Sequence, residues 1–591
     1  MGDLISHSRP RRLTLELLGG MNDGIPQLTA LGNVEHSTRR NIFDSAMNIT
    51  RLCASFSIVV VVSASTVSQA QHAPNPSLGA HHQQFGNVHF AVSCSPAAQE
   101  QFDIAVSMLH SFYYPETIKA FKKVAEIDPD CAMAYWGIAL SQRPNPLVPP
   151  FAPEALHQGA EAIEQGKSLH PKTQRERDWL DAAERFFKDS DTVDQKTRTK
   201  AYEKAMERLY ARYQDDNEAA LFYALALNES ADLSDKNHTN QLKAASILEK
   251  VKAEVPNHPG VIHYLIHSYD YAGLADRAVS AADEYAAIAP SAPHALHMPS
   301  HTYSMLGMWE KSIDSNKACV AASKEFARQH NPPGVADPTE AHALDFMEYD
   351  YLQLGQDKQA KDVVEEAASL KKFSTVRRTV SLGLAAVPSR YVLERGAWTE
   401  AVQLQPLDSP YAYAQSITYF TRAMGAANTG KTTQAREEID KIRAAYQADT
   451  AKADQYWAEQ SNILLQAASA WLAHAEHNDI EAVKLMRRAA DLEDSTDKNV
   501  AMENRLFPMR ELLGYMLLEL KQPKQALMEF EASLKMNPNR LRGLYGAATA
   551  SEMLGNRDVA RQWFEKLNAL THAADSGRRE VRETRAFLAA K

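Results

Sequence analysis

Residues 259–307 read PGVIHYLIHSYDYAGLADRAVSAADEYAAIAPSAPHALHMPSHTYSMLG, and the pattern in the first half of this stretch returns in the second half. The same residue type occurs again 34 positions later at three places: His263 and His297, His267 and His301, and Gly273 and Gly307. A unit of this length holds two helices and their turns, and such hairpins bury their apolar faces by stacking on one another. The stretch therefore predicts an all-α array of helical hairpins.

The composition agrees with an all-α chain and excludes one class of partner. The 591 residues include 24 glycines and 27 prolines, few for this length, while helix formers such as Ala, Leu, Glu and Lys dominate. The formal net charge is −10 and the acidic and basic residues are interspersed, so the chain lacks the basic footprint of a nucleic-acid-binding protein. We expect no nucleic-acid partner.

Two further segments carry the same kind of unit. Residues 115–140 read PETIKAFKKVAEIDPDCAMAYWGIAL and residues 525–539 read QALMEFEASLKMNPN, and both resemble the tetratricopeptide repeat (TPR). The resemblance covers residues 98–150, 240–370 and 510–572. It implies a right-handed superhelix of degenerate TPR hairpins, in which the first helix of each hairpin lines a concave groove.

Longer segments, among them FAVSCSPAAQEQF, HPGVIHYLIHSYDYAGLADRA and APHALHMPSHTYSMLGMWEKSIDSN, resemble one group of these proteins. They are similar to exported bacterial TPR proteins of unsettled function with a His-rich pair of central repeats. This resemblance implies the fold and export, and it supplies no reaction. In similar proteins a His-Pro follows the Glu-Asp-x-Thr-x-Lys text, whereas here Lys498 is followed by Asn499, so a C-terminal ligand is not carried over.

The TPR register also selects the residues that face the groove. In this family the second, fifth, ninth and twelfth positions of a repeat line that face. Under this register the groove-facing residues are His263 and His267 in a repeat starting at Pro259, His294, His297 and His301 in a repeat starting at Pro293, and His342, Asp345 and Tyr349 in a third repeat.

The spacing of the histidines predicts a metal site. Two histidines four residues apart share one face of a helix and present two nitrogens to one ion. We expect His263, His267, His297 and His301 to be the ligands of one transition-metal ion. A second tier of metal-binding or groove residues consists of His294, His342, Asp345, Asp270 and Tyr349. Nitrogen-rich ligation favours zinc or copper, with iron possible if a carboxylate joins.

Two functional interpretations follow, and the sequence does not decide whether the protein is an enzyme. In the first, an open coordination position activates water or oxygen, so that the protein is a metal-dependent enzyme acting on a small molecule. In the second, the groove is a TPR interaction scaffold that binds an extended peptide or a protein and has no catalytic role. A common point about 2–2.5 Å from the four imidazole nitrogens would favour the first.

The N-terminal region predicts export. Residues 47–70 have one arginine, a short apolar run and small residues before a cut at Gln71, which is the layout of a signal peptide. Residues 1–46 are interpreted as an over-extended N-terminus and residues 71–92 as a polar linker. The array is divided into residues 93–380, with the histidines, and residues 381–591. We expect a periplasmic or secreted protein with no transmembrane segment in the mature chain.

Two cysteines are candidates for a disulfide. Cys94 precedes the first helix of the first hairpin and Cys131 follows the second, and these two points are close together in a helical hairpin. The sequence leaves open whether they are bridged, because the Cα separation decides this. Cys319 is interpreted as a buried thiol of the core.

Overall fold

The computed structural model describes residues 84–114, 116–375, 377–452, 454–502 and 504–590. Its helices in chain order are α1 (Pro96–His110), α2 (Glu116–Ile127), α3 (Ala132–Ser141), α4 (Pro153–Ser168), α5 (Gln174–Phe187), α6 (Gln195–Arg212), α7 (Asn217–Ser230), α8 (Thr239–Glu254), α9 (Pro259–Tyr269), α10 (Val279–Ile288), α11 (Pro293–His297), α12 (Pro299–Met305), α13 (Trp309–His330), α14 (Pro338–Gln353), α15 (Asp357–Ser369), α16 (Arg378–Glu394), α17 (Trp398–Ala401), α18 (Ala412–Asn428), α19 (Thr432–Ala451), α20 (Gln455–Ala475), α21 (Asp479–Ser495), α22 (Met509–Glu519), α23 (Pro523–Met536), α24 (Leu541–Met553), α25 (Arg557–Leu570) and α26 (Arg579–Ala589). A short 3-10 helix at Ala275–Ala278 precedes α10.

The predicted all-α array of helical hairpins is confirmed. Most helices pack against the next helix in the chain, as in α18 with α19 and α20 with α21. Within the described residues the one β-type pairing is an isolated bridge between Ala336 and Phe373. The apolar core follows the hairpins along the chain, because each pair buries its apolar stripes against its neighbours.

The repeat boundaries lie at the residues that the 34-residue spacing selects. Helix α9 begins at Pro259 and α11 begins at Pro293. Proline suits a first helical position because its missing N–H has no partner there in any case. Pro299 divides the second histidine segment into α11 and α12, yet Met298 between them keeps helical angles, so the path of the chain stays helical. Gly307 has φ 66°, and a Cβ there would lie 2.5 Å from the Pro538 carbonyl oxygen.

The helices that carry the histidines are buried, and α14 also contacts helices of the C-terminal half of the chain. All residues of α9 are buried, as are the residues of α14 from Glu340 to Gln353. Trp309 donates to the carbonyl of Asn539 at 2.9 Å, and Arg540 donates to the hydroxyl of Tyr349 at 2.8 Å. Helix α9 itself packs against α1, α7, α8, α10 and α12.

Cys94 and Cys131 form a disulfide, with Cα atoms 5.1 Å apart. Cys319 is buried in α13, and burial raises the pKa of its thiol. Just before α1, residues 84–92 are extended and place Phe85 and Phe90 in the apolar core.

The proposed N-terminal extension (1–46) and signal peptide (47–70) lie outside the described residues, as does the linker up to residue 83. Among the residues that the structure describes, no helix is both long enough and apolar enough to cross a membrane.

Candidate metal centre

The described part of the chain brings six histidines together in two groups of three. We call His263, His267 and His294 the first triad, and His297, His301 and His342 the second triad. In each triad one ring nitrogen of every residue lies within 4.8 Å of the others. The four residues expected to bind one ion are thus shared between the two groups. His294 and His342, expected in the second tier, complete them.

The ring nitrogens within each triad are close together. In the first triad the Nε2 atom of His263 lies 3.1 Å from that of His267 and 3.2 Å from that of His294. In the second, the Nε2 atoms of His297 and His301 are 3.0 Å apart, and the ring centroids of His297 and His342 are 4.6 Å apart.

The triads are direct neighbours. The ring centroids of His267 and His301 are 6.1 Å apart, and those of His294 and His297 are also 6.1 Å apart. Three nitrogens that share a tetrahedral ion at bonds of about 2.0–2.1 Å are about 3.3–3.4 Å from one another. The Nε2 separations of His263 from His267 and His294, and of His297 from His301, are near this value.

Acceptor atoms outside the triads fix the orientation of three imidazoles. The Nδ1 atom of His263 lies 2.6 Å from the carbonyl oxygen of His110, and that of His297 lies 2.7 Å from Oδ1 of Asn316. The side-chain amide of Asn316 donates to the Ser312 carbonyl at 2.9 Å, which fixes its oxygen towards the imidazole. Because these oxygens can only accept, Nδ1 carries the proton of each ring and Nε2 presents a lone pair.

The first triad cannot satisfy its nitrogens with protons alone. The lone pair on His263 Nε2 can accept one proton, although two ring nitrogens lie beside it. The Nδ1 atom of His267 is buried and has no hydrogen-bond partner among the described residues. If His267 donates through Nε2, its Nδ1 lone pair is left without a donor; if Nδ1 holds the proton, two lone pairs face each other. Either state leaves buried polar atoms unsatisfied.

Burial disfavours the charged form of five of the six triad imidazoles. It lowers the pKa of His263 and of His342 to about 3, because a charged imidazolium would lack solvation and would be repelled by neighbouring histidines if they were charged. The pKa values of His267, His294 and His297 are lowered well below the usual range for the same two reasons. Neutral imidazole is the form that binds a metal ion.

Asp270 acts on the second triad from outside. Its Oδ2 atom lies 3.0 Å from Nδ1 of His301, and its Oδ1 atom accepts from Lys498 at 2.8 Å. Burial by itself raises the pKa of Asp270, but Lys498 and His301 more than offset this and hold it below its usual range. An ionised Asp270 therefore orients His301 and is not itself within the triad.

Asp345 and Tyr349 belong to a neighbouring network of buried charges. Asp345 pairs with Arg390 at 2.5 Å, and the Tyr349 hydroxyl accepts from Arg540 at 2.8 Å. Arginine binds a buried carboxylate strongly through its fork of donors. Asp345 lies three residues after His342, which sets the two side chains about 60° apart around α14, and its carboxylate pairs with Arg390 outside the second triad.

A third group of buried side chains joins His110, His258 and Glu218. The Nε2 atoms of the two histidines lie 2.9 and 3.0 Å from the Glu218 carboxylate. Nδ1 of His258 accepts from the backbone N–H of Gly260, and Nδ1 of His110 is 2.8 Å from the hydroxyl of Tyr264. Every ring nitrogen has a partner, so this group is a hydrogen-bond network. It fixes His110, whose carbonyl orients His263, and sequence spacing gives no sign of it.

A cavity of about 570 Å³ lies beside both triads. The histidines that line it are His267, His294, His301 and His342. The other lining residues include Tyr114, Phe151, Tyr411 and the arginines Arg377 and Arg378. These five residues lie outside the histidine repeats and share no spacing with them, so the sequence pattern does not predict them.

Comparison with known proteins assigns the chain to no family. No protein-family model and no curated protein sequence matches the chain. The Cut9-Hcn1 hetero-tetramer of APC/C is 12% identical with a TM-score of 0.28, and the match covers 83% of this chain and 96% of that one. A monomeric mutant of IFIT1 with m7Gppp-AAAA is 10% identical with a TM-score of 0.32, covering 78% and 95%. At these scores neither carries an argument about this protein.

Proposed function

We propose that the two triads bind one transition-metal ion each, and that this pair of ions is the centre of an enzyme acting on a small molecule in the adjoining cavity. The observation that carries the proposal is the first triad. The His263 Nε2 lone pair has two ring nitrogens beside it at 3.1 and 3.2 Å, and no distribution of protons satisfies all three residues. An ion that accepts the three lone pairs removes this conflict.

Three protein ligands leave a fourth coordination position, which is the pattern of catalytic metal sites. Four of the six histidines line the cavity, so a molecule there is beside both ions. The ligands are all imidazoles, and the Asp270 carboxylate contacts Nδ1 of His301 from outside the second triad. This favours zinc or copper over iron. Zinc would lower the pKa of bound water, whereas copper would supply redox chemistry.

The scaffold interpretation is the second candidate. A groove that binds an extended peptide needs accessible inner helices, but α9 and most of α14 are buried among the described helices. A cavity of about 570 Å³ has the size of a small-molecule site. These two observations support the enzyme interpretation over the scaffold interpretation.

The metal content of the purified full-length protein tests the proposal. After loading with zinc or copper and desalting, we expect about two ions per chain. His294→Ala and His342→Ala each remove one ligand from one triad, so each variant should retain about one ion. His157→Ala is the control, because His157 is exposed and pairs with Asp191 far from either triad in the sequence. Retention of two ions by both triad variants would place the metal elsewhere, and no ion in the parent protein would refute the proposal.

We also propose that the chain is exported through residues 47–70. The disulfide between Cys94 and Cys131 supports this, since such bonds persist in oxidising compartments. The N-terminal sequence of the native extracytoplasmic protein should begin at Gln71. A product that begins at Met1 would contradict both the signal peptide and the over-extended start.

A further inference from the structure

The cavity beside the triads has a positively charged wall. Arg377 and Arg378 line it together with Thr375 and Thr379. Among the described residues that line the cavity there is no aspartate or glutamate. The charged groups at the cavity are therefore arginines, in addition to any ions held by the triads.

Of the two arginines, Arg378 is paired with a carboxylate and Arg377 is not. Arg378 is 8% exposed, donates to Asp454 at 2.7 Å and lies over the rings of Tyr411 and Trp457. Arg377 forms no ion pair with the described residues, and its buried Nε atom has no hydrogen-bond partner there. Burial lowers the pKa of Arg377, and the opposing effects of Asp337 and Tyr114 do not make up for the lost solvation. Arg377 is thus a partly buried positive charge with no carboxylate in direct contact among the described residues.

Backbone groups add to the positive potential. Helix α16 begins at Arg378, and no side chain caps its first N–H groups. Helix α4 begins at Pro153, also on the cavity wall and also without a side-chain cap. The N-terminus of a helix attracts anions because its free N–H groups and the helix dipole point outward.

The remaining wall is largely apolar. It includes Ile118, Val148, Phe151 and Val500, together with the prolines Pro149, Pro150 and Pro153. An occupant must therefore combine one negative charge with an apolar body.

We propose that the cavity binds a small organic acid, with its carboxylate on Arg377 and the start of α16 and its apolar body against the aromatic and proline wall. The inference deepens the proposed function, since it names the substrate class of the metal centre. The acid-binding site itself uses none of the six histidines as its anion receptor. Binding of the acid and binding of metal can therefore be measured separately.

The test measures affinities of the metal-loaded full-length protein for three acids, benzoate, 3-phenylpropionate and octanoate, and for the neutral amide of each. We expect at least one acid to bind about tenfold more tightly than its amide. Arg377→Gln should abolish this preference, and Arg377→Lys should keep part of it, because lysine retains the charge and loses the fork of donors. The exposed Arg328→Gln is the control.

The outcomes separate the two proposals. Equal affinity for every acid and its amide, or an unchanged preference in folded Arg377→Gln, overturns the acid site even if two metal ions are bound. Tighter binding of inorganic phosphate than of every acid also overturns it, in favour of a phosphate ligand. An Arg377-dependent preference in a protein that binds no metal supports the acid site and refutes the metal centre.

Discussion

Replacing Asp270 should weaken metal binding by the second triad and leave metal binding by the first triad unchanged. Asp270 lies outside both triads, and its Oδ2 atom is 3.0 Å from Nδ1 of His301 in the second triad. The corresponding acceptor for the first triad is the backbone carbonyl of His110, which a substitution of Asp270 does not remove. The first triad is therefore an internal control for the second.

The size of the effect follows from this contact. Loss of an outer partner of a metal-bound histidine reduces metal affinity about 10–100-fold, which corresponds to about 1.4–2.8 kcal/mol. A hydrogen bond to a charged group contributes about 1.5–3 kcal/mol, in the same range. Asp270→Asn keeps an acceptor oxygen and removes the charge, so we expect a loss near tenfold. Asp270→Ala removes the acceptor as well and should approach a hundredfold.

The assay is a competition experiment on the loaded full-length protein with increasing chelator, followed by measurement of ions per chain. The parent should lose its two ions over one range of chelator concentration. In the Asp270 variants one ion should leave at about 10–100-fold less chelator and the other at the original concentration. Asp276→Asn, at an exposed position on the 3-10 helix, is the matched control. If both ions leave at equally reduced chelator concentrations, or if neither leaves earlier than in the parent, the assignment of Asp270 to the second triad is refuted.

Three further predictions concern stability. Gly307→Ala should lower the free energy of unfolding by at least about 1 kcal/mol more than Gly430→Ala, because both have positive φ but only the former would bring a Cβ within 2.5 Å of a backbone oxygen; equal losses in urea titrations would contradict this. The Cys94–Cys131 disulfide joins residues 37 apart, and replacing both cysteines with serine should lower the free energy of unfolding by about 3–4 kcal/mol. The same unfolding midpoint in the parent and in this double variant would contradict the prediction. Burial raises the pKa of Glu229 to about 7 in the folded chain from its usual 4.5, despite the opposing arginine charge, so the stability that this proton provides is present at low pH and is lost as pH rises from about 4.5 to about 7. The Glu229→Gln variant should not show this loss of stability as pH rises. Parallel curves of stability against pH for parent and variant over that range would contradict the prediction.

The sequence by itself determined the helices, the repeat and the pairing of histidines within a segment. These depend on local geometry, because residues four apart share a helix face whatever the helix packs against. The same geometry explains why α9 and α11 begin at Pro259 and Pro293, as the repeat predicts. The Nε2 atoms of His263 and His267 accordingly meet at 3.1 Å.

Only the tertiary structure decided how the six histidines are divided. His294 and His297 lie on one short helix with their side chains about 60° apart around its axis, and the two rings meet different neighbours. His294 meets α9 and His297 meets α14, which gives two triads where spacing predicted one site. Lys498 reaches Asp270 across 228 residues, and the arginines of the cavity come from a later helix. Contacts of this kind depend on how distant helices pack, and packing leaves no spacing pattern in a single sequence.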